Sequence, residues 1–133
     1  MYSTELLERA AAGCVQSQMD LASCYYWGEG VDQDRCRAVA LYKEVAENDW
    51  PTAQFELASC YYWGEGVDQD YHQAVEWYRK AAENGWIEAQ FKLASCYHMG
   101  EGVKQDREQA IYWFKKAAEN GWLEAQEMLN SIL

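Results

Sequence analysis

The sequence predicts an all-α protein built as an array of about three and a half helix-turn-helix repeats, and three observations carry that prediction. First, the stretch LASCYYWGEGVDQD occurs letter for letter at 21–34 and 57–70 and returns with three changes at 93–106, a fixed period of 36 residues. Self-similarity at such a period marks an architecture in which each unit buries its apolar face against its neighbours. Second, apolar residues inside each unit recur at helical spacing, and no segment alternates with the period of a strand. Third, the same punctuation returns in every copy: a G-E-G turn where one helix must stop and an aspartate where the next must start. No linker or low-complexity tract interrupts the pattern, so residues 1–133 form one solenoid.

Residues 4–12 read as a short helix, with Leu6 and Leu7 apolar and Glu5 and Glu8 outward, in the place of the second helix of an incomplete repeat. A helix over 16–27 carries Leu21, Ala22 and Tyr25 and stops at Gly28 and Gly30. Glycine enters the left-handed conformation of a helix C-terminus without steric cost. The next helix, 35–47, starts behind Asp34, whose carboxylate can accept from free backbone N–H groups and meets the positive end of the helix dipole. Its equivalents, 71–83 and 107–119, start behind Asp70 and Asp106, where Gln73 and Gln109 complete the spacing of a capping box. These helices stop at Asn48-Asp49, Asn84-Gly85 and Asn120-Gly121, so Asp49 stands where the other copies use glycine. Pro51 opens the following helix in the first-turn position that proline tolerates. That helix recurs from Ile87 and from Leu123, the last serving as a C-terminal capping helix over 123–133. The repeats therefore span about 16–48, 52–84 and 88–120.

Helical angles assign the faces. At about 100° per residue, Gln54, Leu57, Ala58 and Tyr61 fall on one side of the first helix, which must be the buried side. Ala53 and Cys60 flank it as a seam of small residues that admits a close neighbour. On the second helix Ala74, Trp77, Tyr78 and Ala81 share a face, matched by Ala38, Leu41 and Tyr42 and by Ala110, Trp113 and Phe114. His72, Glu76, Arg79 and Glu83 look outward, as do Cys36 and Glu108 at the position of His72.

The formal net charge of −11 argues against nucleic-acid and anionic-membrane partners, both of which need a basic footprint, and favours basic or neutral ones. No apolar run of signal-peptide or membrane-spanning length is present, which predicts a cytoplasmic protein, with export as a secreted effector left open. Cys24, Cys60 and Cys96 are one repeat position, so they form a ladder with rungs roughly 10 Å apart, too far for a disulfide. Together with Cys14 and Cys36 they are expected as reduced thiols. The G-E-G turns lack the lysine and longer glycine pattern of a phosphate loop. His72 and His98 lie on different helices, and no ligand spacing typical of zinc occurs, so neither a metal site nor a cofactor is expected. Cys96 and His98, two apart on a helix, point in different directions and make a poor nucleophile pair. No catalytic residue is assigned, and the expectation is a protein without enzymatic activity.

The pattern A-Q-x-x-L-A-x-x-Y-x-x-G-x-G-V-x-x-D-x-x-x-A-x-x-W-Y-x-K-A-A-E-x-G, read over 53–85, closely resembles the Sel-one-like repeat, a relative of the tetratricopeptide repeat. The resemblance recurs in register from about Ser17. It implies a right-handed superhelix of antiparallel helix pairs, of the tetratricopeptide-like solenoid type, and a role as an adaptor that assembles protein complexes. Ala22, Ala58 and Ala94 replace a glycine common in the family. A cysteine-rich branch of the family bridges the two helices of a repeat, but its cysteine positions differ from those here, so neither its disulfides nor its suggested penicillin binding carries over.

In the related tetratricopeptide repeats the first helices line a concave surface. Transferred by helical angle, the partner-facing side is Thr52, Glu56, Ser59 and Trp63, with Phe55 and Tyr62 at its margins. The other copies supply Met19, Asp20, Ser23, Tyr26 and Trp27, then Phe91, Lys92, Ser95, His98 and Met99. This surface is unusually aromatic for positions that should meet solvent, and Trp and Tyr are favoured anchors at interfaces. It predicts a groove that takes a protein or peptide segment, basic or anchored by aromatics, inside an acidic surround of Asp20, Glu56, Glu29 and Glu65. A competing arrangement folds Trp27, Trp63 and Met99 back over the glycine turn to pack between repeats. A second function class is a binder of a small ligand or cell-wall fragment, with hydrolytic activity. The apolar Leu129, Ile132 and Leu133 of the last helix add a third expectation, a homodimer formed through it.

Overall fold

A computed structural model describes residues 2–133 and contains eight helices and no strands among them. They are α1 (Thr4–Ala11), α2 (Val15–Trp27), α3 (Arg35–Ala46), α4 (Pro51–Trp63), α5 (Tyr71–Glu83), α6 (Ile87–Met99), α7 (Arg107–Glu119) and α8 (Leu123–Ile132). Each helix packs mainly on the one before and the one after it, which is the connectivity of an all-α repeat superhelix.

The punctuation works as the residue types dictate. α2, α4 and α6 end on Gly28, Gly64 and Gly100 at φ 72°, 70° and 71°. The next two N–H groups of each turn donate to one carbonyl, that of Cys24, Cys60 or Cys96. A second free carbonyl in each last turn, of Tyr26, Tyr62 or His98, accepts from the side-chain amide of Gln33, Gln69 or Gln105 at 2.8–2.9 Å. The aspartate caps form as expected: Asp34, Asp70 and Asp106 accept from the N–H of Arg37, Gln73 and Gln109 at 3.1 Å. Asp49 adopts φ 61°, the left-handed conformation that Gly85 and Gly121 take in the later copies.

The core is a continuous stack of small and aromatic side chains. Ala53, Leu57, Ala58 and Cys60 of α4 and Ala74, Tyr78 and Ala81 of α5 are buried, with Trp77 closing the edge. Leu41 and Tyr61, expected in the core, are only half-buried. In the second and third repeats one buried polar residue joins helices end to end. Gln54 donates to the carbonyl of Ala46 at the end of α3 and accepts from Asn84 at the end of α5, at 3.3 and 3.1 Å. Gln90 repeats the pattern with Ala82 and Asn120 at 3.2 Å in both bonds. A buried amide is tolerated there because its donor and acceptor are both satisfied, and it closes carbonyls that a helix end leaves open.

The second glycine of each G-E-G turn has a different task. Gly66 (φ 78°) lies on the N-terminus of α3, where an added Cβ would stand 2.6 Å from the carbonyl carbon of Arg35 and 2.9 Å from Val39 Cγ2. Gly102 sits the same way on Tyr71 at the start of α5. These contacts seat each repeat on the one before it.

All five cysteines are free, with Cys24, Cys60 and Cys96 buried and Cys14 and Cys36 exposed. No helix among the described residues is long and apolar enough to cross a membrane.

Candidate functional site

The side chains expected to face a partner run along α2, α4 and α6, and the structure sorts them into three kinds. Trp27 and Trp63 are each 63% exposed and Met99 65%, which overturns the alternative packing of these residues over the glycine turn. Each indole stands edge-on to its tyrosine neighbour: Tyr26 to Trp27 at 4.8 Å and 77°, Tyr62 to Trp63 at 4.9 Å and 77°. The tryptophans are thus exposed but braced.

Asp20 is exposed, while Glu56 and Lys92, its equivalents on the next two helices, are half-buried. Burial raises the carboxyl pKa of Glu56 above its ordinary value, and the nearby Glu88 pushes the same way. The serines of the stripe are half-buried and internally bonded. Ser59 Oγ and Tyr78 Oη share a hydrogen bond of 3.1 Å, and Ser95 Oγ donates to the carbonyl of Phe91 at 3.0 Å.

The third kind departs from expectation. Met19 and Phe55, placed by helical angle on the open side, are buried at 8% and 9% exposure, and Phe91 is half-buried. The residue that covers Phe55 comes from the next repeat. Trp86, at the N-cap of α6, lies 6.3 Å from the Phe55 ring, and Trp122, at the N-cap of α8, lies 5.9 Å from Phe91, both tilted at 39°. Sequence reasoning passed over Trp50, Trp86 and Trp122, although they recur at the period. The indole N–H groups of Trp86 and Trp122 are buried with no acceptor among the described residues. Beside them, Gly85, Trp86, Ile87, Glu88 and Trp122 line a cavity of ≈ 410 Å³.

Tyr26 and Tyr62 also have a task that was not foreseen. Tyr26 Oη donates to Glu65 Oε1 at 2.7 Å, and Glu65 Oε2 accepts from Arg35 Nη1 at 2.8 Å. The guanidinium of Arg35 lies 4.6 Å from the centre of the Tyr26 ring. Tyr62 Oη donates to Glu101 Oε1 at 2.9 Å, with the Tyr71 ring tilted at 38° against its own at 4.9 Å in the place of Arg35. The glutamates of the second and third G-E-G turns, Glu65 and Glu101, are therefore keys that lock into the preceding repeat. Burial and the glutamate raise both phenol pKa values well above the ordinary range. Glu65, expected in a free acidic surround, is spent in this joint, whereas Glu29 is exposed.

Burial pushes the thiols of Cys60 and Cys96 up to about 12, so neither is a thiolate at neutral pH. Among the described residues no cluster of His, Cys, Asp and Glu has the makings of a metal site.

Comparison with known proteins agrees with this architecture. Among solved structures, c5321, a protective antigen of uropathogenic Escherichia coli with an SLR fold, superimposes with a TM-score of 0.93 at 35% identity, covering 96% of this chain. The chain spans only 27% of the length of that protein. A Sel1 repeat protein from Oxalobacter formigenes matches with a TM-score of 0.87 and 35% identity, over 96% of both chains. Helicobacter pylori cysteine rich protein B shares the fold alone, with a TM-score of 0.74 at 20% identity over 94% of this chain and 95% of that one. No curated protein matches the sequence. The Sel1 repeat family model matches at residues 15–49, 51–86 and 87–122, each match holding one pair of the helices described above, and the chain belongs to the Sel1 repeat family.

Proposed function

We propose that this chain is a non-catalytic scaffold that grips a segment of a partner protein along the stripe formed by α2, α4 and α6. Sel1 repeat proteins are generally protein-interaction scaffolds and typically lack catalysis of their own. The observation that carries the reading is the row of exposed apolar side chains, Trp27, Trp63 and Met99, at one position of three successive repeats, with both tryptophans braced by a tyrosine. A tryptophan held rigid before binding loses little entropy on contact, which is what an interface anchor requires. Asp20, Glu56 and Glu29 and the net charge of −11 favour a basic segment with apolar or aromatic side chains at the spacing of the repeats.

The test is to select twelve-residue peptides against the protein from a random display library and to measure their affinities for the Trp27→Ala and Trp63→Ala variants. Losing a tryptophan hot spot costs at least about 2 kcal/mol, or roughly thirtyfold in affinity. Circular dichroism should be unchanged, because neither indole is in the core. If the selected peptides bind both variants as tightly as the parent, the stripe is not the binding surface.

A further inference from the structure

At the opposite end of α6 from Met99, the N-caps of α6 and α8 bring two tryptophans to one cavity of ≈ 410 Å³. Trp86 and Trp122 line it together with Gly85, Ile87 and Glu88. Each indole is backed by a phenylalanine of the preceding copy, Trp86 by Phe55 at 6.3 Å and Trp122 by Phe91 at 5.9 Å. Both indole N–H groups are buried without an acceptor among the described residues. The donor edge of each indole is thus turned into the protein, and what it offers to the cavity is ring carbon. Nothing stands within 4 Å of the space where a Cβ of Gly85 would be, which leaves that side of the cavity open.

The one charged group in the lining is Glu88, which is half-buried. Among the described residues neither Glu88 nor Glu56 of α4 makes an ion pair, and Lys92, one turn further along α6, pairs with neither. Burial raises the pKa of the Glu56 carboxyl, and the charge of Glu88 adds to it, so the two carboxylates feel one another. The N-terminus of α6 opposes a cation with about half a positive charge, which the full charge of Glu88 exceeds. An anion is therefore repelled, and a neutral group leaves a carboxylate desolvated without a partner. Indole carbon is the aromatic surface that attracts cations best, and the stem of a lysine lies readily along apolar walls with its ammonium at a polar end. Thr52 stands in the place of Glu88 in the preceding copy, so the third repeat has a charged wall that the second lacks.

We propose that this cavity is a cage for a lysine side chain of a basic partner segment, with the stem against Trp86 and Trp122 and the ammonium at the Glu88 carboxylate. The cage rests on the reading of the chain as a binder of a basic segment and adds a contact outside the stripe of Trp27, Trp63 and Met99. Glu88 and Met99 lie about 16 Å apart along α6, a span that about five extended residues of one partner segment would bridge.

The probe is the acetylated, amidated pentapeptide Gly-Gly-Lys-Gly-Gly, titrated into the isotopically labelled protein while the indole N–H signals of all seven tryptophans are followed by NMR. Saturable shifts are expected at Trp86 and Trp122, with smaller ones at the other indoles. Replacing the peptide lysine by norleucine, which keeps the stem and removes the charge, should weaken binding about fivefold or more. Glu88→Gln should weaken it by about the same factor, whereas Glu119→Gln, an exposed site at the end of α7 with the same change in net charge, should leave it unchanged. The cage is overturned if Trp86 and Trp122 show no saturable shift up to roughly 20 mM peptide, if the norleucine peptide binds equally well, or if Glu119→Gln weakens binding as much as Glu88→Gln. The last result would assign the attraction to the general acidity of the chain. Library peptides indifferent to Trp27→Ala and Trp63→Ala would overturn the stripe without moving these two signals, and silent Trp86 and Trp122 signals would overturn the cage without bearing on the stripe.

Discussion

The two kinds of left-handed glycine in each repeat look alike in the sequence and differ sharply in what surrounds them. Gly66 (φ 78°) and Gly85 (φ 89°) both occupy backbone that an L side chain resists, and replacing either by alanine costs about 1 kcal/mol on that account. At Gly85 nothing else lies within 4 Å of the added methyl. At Gly66 the methyl would stand 2.6 Å from the carbonyl carbon of Arg35 and 2.9 Å from Val39 Cγ2. The first of these is backbone at the start of α3, so it cannot swing aside as a side-chain end could. The turn must back away from the preceding repeat, which is overpacking at a buried joint and costs a further ~1–3 kcal/mol. It also stretches the bonds of Glu65 to Tyr26 and Arg35. Gly66→Ala should therefore lose about 3 kcal/mol in all and Gly85→Ala about 1.

In urea, with a slope of about 2 kcal/mol per molar, the two midpoints should differ by roughly 1 M. Asp49→Gly is the complementary control. It relieves the strain at φ 61° and loses only a long contact from Gln54 at 3.4 Å, so it should gain a few tenths of a kcal/mol to about 1. Equal midpoints for Gly66→Ala and Gly85→Ala would show that the turn does not seat against α3 and would refute the joint as described.

Three further outcomes follow from the core and the site. With Ellman's reagent near pH 8, Cys14 and Cys36 should react at once, Cys14 the faster because its hydrogen bonds with Ser17 lower its pKa. The buried Cys24, Cys60 and Cys96 should react only on unfolding, and a third fast thiol would contradict the packing of the ladder. Gln54→Met keeps the volume but leaves the Asn84 amide without its partner and removes one of the two bonds to the Ala46 carbonyl, which still accepts from the Asp49 N–H, a loss of about 1–3 kcal/mol in urea unfolding, against less than about 0.5 for Gln126→Met on the exposed side of α8. For Glu56 the folded pKa is raised, so the folded state prefers the proton and the ionised carboxylate is the penalised form. Glu56→Gln should accordingly raise the melting temperature at pH 7.5, with a gain that shrinks as pH falls through the folded pKa and is gone below about 4, the ordinary glutamate range. A gain equal at both pH values would place the effect in packing rather than charge.

Which parts of this were legible in the sequence follows from the range of the interactions involved. The helices were legible because their starts and stops are local: an aspartate and the N–H three residues on, or a glycine and the carbonyl four residues back. The buried side of α4 was legible for Ala53, Gln54, Leu57 and Ala58 because helical angle alone fixes it. Met19 and Phe55 were misplaced for the opposite reason. Their angle puts them at the margin, and for Phe55 what covers the ring is an indole, Trp86, that arrives from the next repeat. The Tyr26–Glu65 and Tyr62–Glu101 bonds span 39 residues each, one period and three more, so neither partner signals the other within its own copy.

That offset explains why the stretch at 57–70 is preserved so closely. A turn that must end its own helix at Gly64, approach the preceding repeat without a Cβ at Gly66, and place Glu65 between a tyrosine and a cation of another copy is constrained by three separate contacts. Identity between copies is then the cheapest way to make every joint fit. The changes in the third copy, to His98, Met99 and Lys104, leave Gly100, Glu101 and Gly102 untouched, so the third turn still docks backward through Glu101 onto Tyr62. His98 falls instead at the position where the first two copies receive a neighbour's glutamate. The backward half of the joint is held constant while the forward half varies, because the same glutamate is seated by a tyrosine and a guanidinium in the first joint and by a tyrosine in the second.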